Sequence, residues 1–409
     1  MAATSQYAAA SAEAGRRGPD IRSDCWVKIT PTTSGGINVQ VKTKVEVMYG
    51  EAVRRLVHDV LTALGVTHAT VEMEDAGALP FVQMARLEAA VRRLVPQGAA
   101  AVSAVPEYLP EFVAGAQRPT ERERFRRSRL YLPGNESRFM LNAGLHEPDG
   151  VILDLEDSVA PPTKDEARLL VRDALRSIDF RASERMVRIN QGERGLIDLD
   201  FIVPHNVHVI LIPKVESPEQ VRAVDDRIAA ILKKHKISPP VYIMPIVESA
   251  LGAIKAYEIA TASPNIVGLT IGLEDYTADL GTQRTSAGRE SFWARCQVVN
   301  AARAAGVQPI DTVFSDVADM EGLKASVLEA KSLGFEGKGC IHPRQIRPIH
   351  EAFAPAPAEL EKAQKIVAAF KDAEAKGLGV VSLGSKMIDP PVVKRALRTV
   401  RLAEALAKT

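Results

Sequence analysis

The feature that most narrows the choice of fold is a series of eight short apolar runs between residues 128 and 343. They read SRLYLPG, GVILDLED, RMVRIN, VHVILIPKV, PVYIMPIVES, IVGLTIGLED, QPIDTVFSD and GKGCIHP. Most are rich in Val, Ile and Leu and nearly unbroken, the pattern of parallel strands covered on both faces. Segments with helical periodicity, or rich in Lys, Arg and Glu, lie between most pairs. Eight such units predict an α/β fold, a closed (β/α)8 (TIM) barrel. An open doubly wound sheet is the alternative, but no GxGxxG fingerprint follows an early run.

The chain has 409 residues, more than one barrel needs. Residues 1–22 are rich in Ala, Ser and Gly without periodicity and predict a disordered tail. From Cys25, CWVKIT and INVQVKTKV alternate around TTSGG, a hairpin signal. A helical stretch ending at Gly65, the alternating THATVEMED and the amphipathic ALPFVQMARLEAAVRRLV complete a small α+β domain over residues 23–97. Residues 98–126 read as a linker, and the charge run ERERFRR at its end as a solvated segment. The barrel then spans 127–375, followed by a C-terminal arm over 376–409.

Charge and composition exclude several classes. Lys+Arg 52 against Asp+Glu 51 gives a net charge of +1, which offers no footprint for nucleic acid. No apolar run approaches the roughly 18 residues of a membrane span. The start of the chain lacks the basic and apolar regions of a secretory signal. Cys25, Cys296 and Cys340 are far apart, against a disulfide framework or a thiolate zinc site. The expectation is a cytoplasmic protein with no membrane or nucleic-acid partner.

In a (β/α)8 barrel the active site gathers at the carboxyl ends of the strands. Nearly every run here ends in polar residues: Asn135, Glu156 and Asp157, Arg188 and Asn190, Lys214 and Glu216, Glu248, Asp275, Asp316 and His342. Any one of these could simply cap a helix. Their recurrence would aim several carboxylates at one mouth. Glu248 and Asp275 follow strongly apolar runs on adjacent strands. They are either ligands of Mg²⁺, which favours hard oxygen donors, or acids capping the helices that follow. Arg188 either holds a carboxylate or enolate oxygen bidentately or makes a structural salt bridge. His342, before a proline, reads on sequence alone as a hydrogen-bonded structural residue.

Ordered motifs in this region resemble a known family. RLYLPGN, VILDLEDSV, VRIN, IPKVES, PIVESALG, GLEDYTADLG, ARCQVVNAARAAG and GSKMIDPP look like the citrate lyase beta subunit family, which includes malyl-CoA and citramalyl-CoA lyases. The resemblance covers residues 127–409. It implies a (β/α)8 barrel, a homotrimer or hexamer, and a C-terminal arm that completes a neighbouring subunit's site. It implies Glu248 and Asp275 as Mg²⁺ ligands, Arg188 as the stabiliser of a thioester enolate, and Asp389 as an acid/base supplied in trans. Tyr131, Arg138, Ile341 and His342 match positions that contact acyl-CoA, whereas Asn142 stands where a relative carries Lys. Residues 23–97 resemble the citrate lyase gamma subunit, an acyl carrier bearing a phosphoribosyl-dephospho-CoA group on serine. Arg22 aligns with the modified position and Ser23 is displaced by one. Either Ser23 bears the group or the domain has lost its arm.

The implied reaction is Mg²⁺-dependent C–C cleavage of a citramalyl-, malyl- or citryl-type thioester, CoA- or carrier-bound, to an acetyl thioester and a 2-oxo acid. Two other readings are a barrel aldolase acting on free 2-oxo acids and a non-catalytic assembly subunit of a citrate-lyase-like complex.

Overall fold

The computed structural model describes residues 9–95, 105–114, 117–375, 381–383 and 386–407. The start of the expected tail (1–8) and part of the expected linker (98–104) lie outside the described residues.

All eight apolar runs become strands of one closed parallel barrel, ordered β5 to β12. These are β5 (Ser128–Pro133), β6 (Gly150–Asp154), β7 (Glu184–Arg188), β8 (Val209–Ile212), β9 (Tyr242–Val247), β10 (Gly268–Ile271), β11 (Gln308–Asp311) and β12 (Gly337–Cys340). Ile152, Met186, Val209, Leu211, Met244, Ile246, Val267 and Ile310 fill the interior. The outward faces of the strands pack on the helices, so the strands are buried on both sides, with a few paired charges such as Lys338 and Asp311 among the apolar residues. Among the described residues no helix is long and apolar enough to cross a membrane.

The charge run before β5 is not a solvated segment. Arg122 donates to the carbonyls of Pro264 (2.7 Å) and Ile266 (2.8 Å), and Arg124 to that of Ala182 (2.8 Å). Arg126 is buried in a two-point pair with Glu184 (2.7 and 2.9 Å), and Arg127 makes the same with Asp149. These partners lie just before or at the amino ends of the strands, so the run staples the barrel floor. Sequence reading misses it because the partners are distant in the chain.

The N-terminal domain is a four-stranded sheet with two helices: β1 (Ala12–Gly15), β2 (Cys25–Pro31), β3 (Ile37–Thr43), α1 (Glu46–Ala63), β4 (Ala69–Asp75) and α2 (Pro80–Leu94). Two expectations fail here. Residues 12–15 of the supposed tail form β1, antiparallel to β2. The hairpin does not form either, because the strand order is β1-β2-β4-β3. Helix α1 carries the chain back so that β4 runs parallel to β3 and slots beside β2. The more deeply buried β2 and β4 take the centre, and β3, with Asn38, Gln40 and Lys42 exposed, takes the edge.

This domain is sealed to the barrel. Twelve side chains of α2 are buried, and its core is continuous with that of the barrel helices. Arg86 of α2, fully buried, grips the buried Asp24 at 3.0 and 2.9 Å and donates to the Asn135 carbonyl at 3.2 Å. Glu88 meets Arg172 of the helix Lys164–Ser177 at 3.0 and 2.7 Å. Removing one partner of such a buried pair costs about 3–5 kcal/mol, because the other charge is stranded in low dielectric.

At the other end, helices Pro357–Ala375 and Pro390–Leu406 pack on each other around Ile366, Ile388 and Val393, a small core separate from that of the barrel.

Candidate active site

Adjacent strands deliver the mouth residues in register. Thr270 and Ile271 of β10 pair with Ile246 and Val247 of β9. Glu248 and Gly272, the next residues, therefore stand side by side at the rim. The Gly272 N–H donates to the Val247 carbonyl at 2.9 Å. A Cβ on Gly272 would fall 2.4 Å from Glu248 Oε1, so only glycine leaves this space for the carboxylate. Asp275 lies in the first turn of the helix Leu273–Asp279 that begins there.

Lys214, two residues beyond β8, touches both acids. Its backbone N–H donates to Glu248 Oε2 at 2.9 Å, and its Nζ lies 3.6 Å from Asp275 Oδ1. It is held at φ +50°, a left-handed conformation rare outside glycine. The ammonium also lies 3.3 Å from Glu156 and 3.3 Å from Asp157. Burial works against its charge, but these three carboxylates outweigh it and raise its pKa.

Arg188 ends β7 opposite Asp154, its register partner on β6. Nε and one terminal nitrogen donate to the two Asp154 oxygens at 2.6 and 2.7 Å. The other terminal nitrogen lies 3.2 Å from Glu156. Burial disfavours this charge, but the Asp154 bonds dominate and hold the guanidinium above its ordinary pKa. One half of the fork is thus spent on orientation. The Tyr131 ring packs with its centroid 5.4 Å from the guanidinium carbon.

Glu248 is only 6% exposed. Burial, with the like charges of Asp275 and Glu156, pushes its carboxyl up to about 7, against the pull of Arg188 and the Lys214 N–H. Among the described residues, Oε1 takes no hydrogen bond from protein. A buried carboxylate with one free oxygen, next to a second acid, fits a hard divalent cation. Among the described residues no group of three or more His, Cys, Asp or Glu is arranged for a metal. Mg²⁺ is commonly held by one or two carboxylates, with water and substrate filling its octahedron.

The remaining expected residues are distributed as follows. Arg138 is exposed beside the β5 end and donates to Glu136 at 3.1 Å. Ile341 is exposed, and its N–H donates to Gln345 Oε1 at 2.9 Å. His342 caps a short 3-10 turn, its Nδ1 accepting from the Arg344 N–H at 3.1 Å, as its structural reading anticipates. Asp389 caps the helix Pro390–Leu406, accepting from the Val392 N–H at 3.3 Å. No hydrogen bond or ion pair links it to Arg188, Glu248 or Asp275 within the chain. Ser23 lies at the dock between the domains, its carbonyl accepting from Ser137 Oγ at 2.5 Å.

Sequence reading passed over Asp154 and Gly272, and noted Lys214 only as one of the strand-end charges. PKVES marks Lys214 as a strand-end cation, but nothing in it shows the left-handed backbone that turns its N–H to Glu248.

Fold and rim together define a (β/α)8-barrel enzyme with an oxygen-donor site at its mouth. Residues 127–343 match the HpcH/HpaI aldolase/citrate lyase family, and the chain belongs to it. Residues 18–94 match the malonate decarboxylase delta subunit (MdcD) family. The chain is 41% identical to citrate lyase subunit beta of Haemophilus influenzae over 276 residues, 67% of this chain and 95% of that protein. It is 35% identical to the mitochondrial citramalyl-CoA lyase of Mus musculus over 69% of this chain and 87% of that protein. The crystal structure of CitE from Mycobacterium tuberculosis in complex with magnesium, acetoacetate and coenzyme A aligns with a TM-score of 0.57 at 30% identity. It covers 68% of this chain and 98% of that one.

Proposed function

We propose that this protein is a Mg²⁺-dependent C–C lyase that cleaves a 3-hydroxy-carboxyacyl thioester of the malyl-, citramalyl- or citryl-CoA type. The products are an acetyl thioester and a 2-oxo acid. The reading rests on one observation above the rest: Glu248 at the end of β9 and Asp275 in the first turn after β10 are both touched by Lys214, beside a pre-oriented Arg188. Relatives named citrate lyase subunit beta and citramalyl-CoA lyase support the reaction class, and the magnesium and coenzyme A of the mycobacterial structure support the ion and the thioester.

The reaction removes a proton from the substrate hydroxyl, breaks the carbon–carbon bond and leaves its electron pair on the thioester as an enolate. Bound by Glu248 and Asp275, Mg²⁺ would lower the pKa of the hydroxyl and polarise the emerging ketone. Asp154 keeps Arg188 aimed, so the terminal nitrogen that now faces Glu156 can turn its positive charge to the thioester oxygen with little reorganisation. Lys214 neutralises Glu156 and Asp157, which would otherwise repel an anionic substrate. The partly buried Tyr131 packs between the barrel interior and the Arg188 guanidinium. Protonation of the enolate carbon completes the acetyl group. Asp389 fits this acid/base role when supplied by a neighbouring subunit, since among the described residues its carboxylate caps a helix and has no bond to the mouth acids. The working form on this reading is a homo-oligomer, with Arg138, Ile341 and His342 along the path of the CoA.

Purified protein is expected to release a 2-oxo acid from malyl- or citramalyl-CoA with Mg²⁺ present and to stop in EDTA. Full turnover in EDTA, or turnover only of a 2-oxo-acid aldol that lacks a thioester, would overturn the proposal.

A further inference from the structure

We infer that the N-terminal domain is a fixed part of the barrel rim, not a travelling acyl carrier, and that the barrel takes its acyl group from a diffusible CoA thioester. This rests on the lyase reading above and names its substrate class.

A carrier that collects an acyl group at one site and delivers it at another must leave each dock. This domain is bound to one dock at several points along α2 and the segments that flank β1 and β2. Gly15 donates its N–H to Glu166 on the barrel helix Lys164–Ser177 at 2.9 Å. Arg93 reaches the Pro162 carbonyl at 3.2 Å, and Arg16 pairs with Glu136 in the loop after β5. The buried Arg86–Asp24 and Glu88–Arg172 pairs lie between these contacts, and the Arg86 charge is shared with Asn135 and Glu166 of the barrel. Undocking would expose these charges and the continuous core together.

The tether is bound as well. In the described part of the connecting segment, Val105 accepts from Arg92 at 3.3 Å and Pro110 from Arg176 at 2.6 Å. Val113 donates its N–H to the Arg176 carbonyl at 2.9 Å, and Arg176 stacks on Phe112 at 3.9 Å. A swinging domain needs slack, but Val105 is held to α2 of the domain itself, and Glu107, Pro110, Phe112 and Val113 to Arg172 and Arg176 of the barrel helix.

The expected attachment point is immobilised too. Ser23 sits at φ +56°, its N–H donates to Ala76 at 3.1 Å, and its carbonyl takes the Ser137 hydroxyl. Its neighbour at the aligned position is Arg22, which has no hydroxyl to carry a phosphodiester. Ser137 precedes Arg138 at the carboxyl end of β5, so this corner of the domain lines the mouth.

The test uses the wild-type chain from its native host. Intact mass and the peptide containing Ser23 are expected to show no added group, while the same preparation cleaves free malyl- or citramalyl-CoA. The Gly15 and Val113 amides, which bond across the dock and tether, are expected to exchange hydrogen within about tenfold of the Leu155 amide at the barrel rim. A CoA-derived group on Ser23 whose acyl chain is turned over would overturn the inference. So would Gly15 and Val113 exchanging together orders of magnitude faster than Leu155. An unmodified chain with slow exchange that cleaves no CoA thioester would overturn the lyase reading and leave the fixed dock standing.

Discussion

Two regions of this molecule bury ionised side chains in opposite ways. At the dock, at the barrel floor and between β11 and β12 the acids meet closed partners: Asp24 with Arg86 and Glu88 with Arg172, Glu184 with Arg126, and Asp311 with Lys338. At the mouth Glu248 is equally buried but has one N–H on one oxygen and like charges nearby. Matched charges hold elements together. The undermatched carboxylate stores an unfavourable interaction that a bound cation would relieve, and such perturbed acids mark functional sites.

Breaking each region separately sharpens the contrast. Glu248→Ala is expected to lower kcat/KM by about 10³-fold or more, several kcal/mol of transition-state stabilisation, with little loss of fold. Asp24→Ala should do the reverse. It strands a fully buried guanidinium, so denaturant unfolding should show a loss of about 3–5 kcal/mol while kcat per folded molecule holds. A loss of folding free energy in the first variant matching that of the second would erase the distinction.

Gly272→Ala tests the mouth more gently. Its new Cβ must displace the Glu248 carboxylate, so kcat/KM should fall by about 10²-fold, with Tm nearly unchanged. The smallest effect is on pH dependence. In the folded chain Glu248 titrates near 7, above its unfolded value, so without metal the folded state holds a proton that the unfolded state has already lost. The stability this gives is present at low pH and is lost as pH rises through 7. Between pH 6 and 8 metal-free wild type should lose about 1 kcal/mol relative to Glu248→Gln. Equal slopes for the two would show the carboxylate to be ordinary.

The barrel was legible because parallel strands covered on both faces leave unbroken apolar runs, and all eight survive as strands. Glu248, Asp275 and Arg188 were legible as strand-end charges. What escaped was non-local. Alternation in β2 and β3 fits a hairpin equally well, and only the return of the chain through α1 places β4 between them. The ERERFRR run has the composition of a solvated segment, but the carbonyls and acids at the strand starts bind it. Residues 12–15 lack any strand signature of their own and are strand only because β2 offers an edge. Lys214 needed its backbone angle to be seen.

The most direct test of the account is calorimetric titration of the metal-free protein with Mg²⁺ at pH 8. One ion should bind per chain, and binding should vanish in both Glu248→Gln and Asp275→Asn while Asp24→Asn, if folded, retains it. Undiminished binding in the two mouth variants would contradict the account.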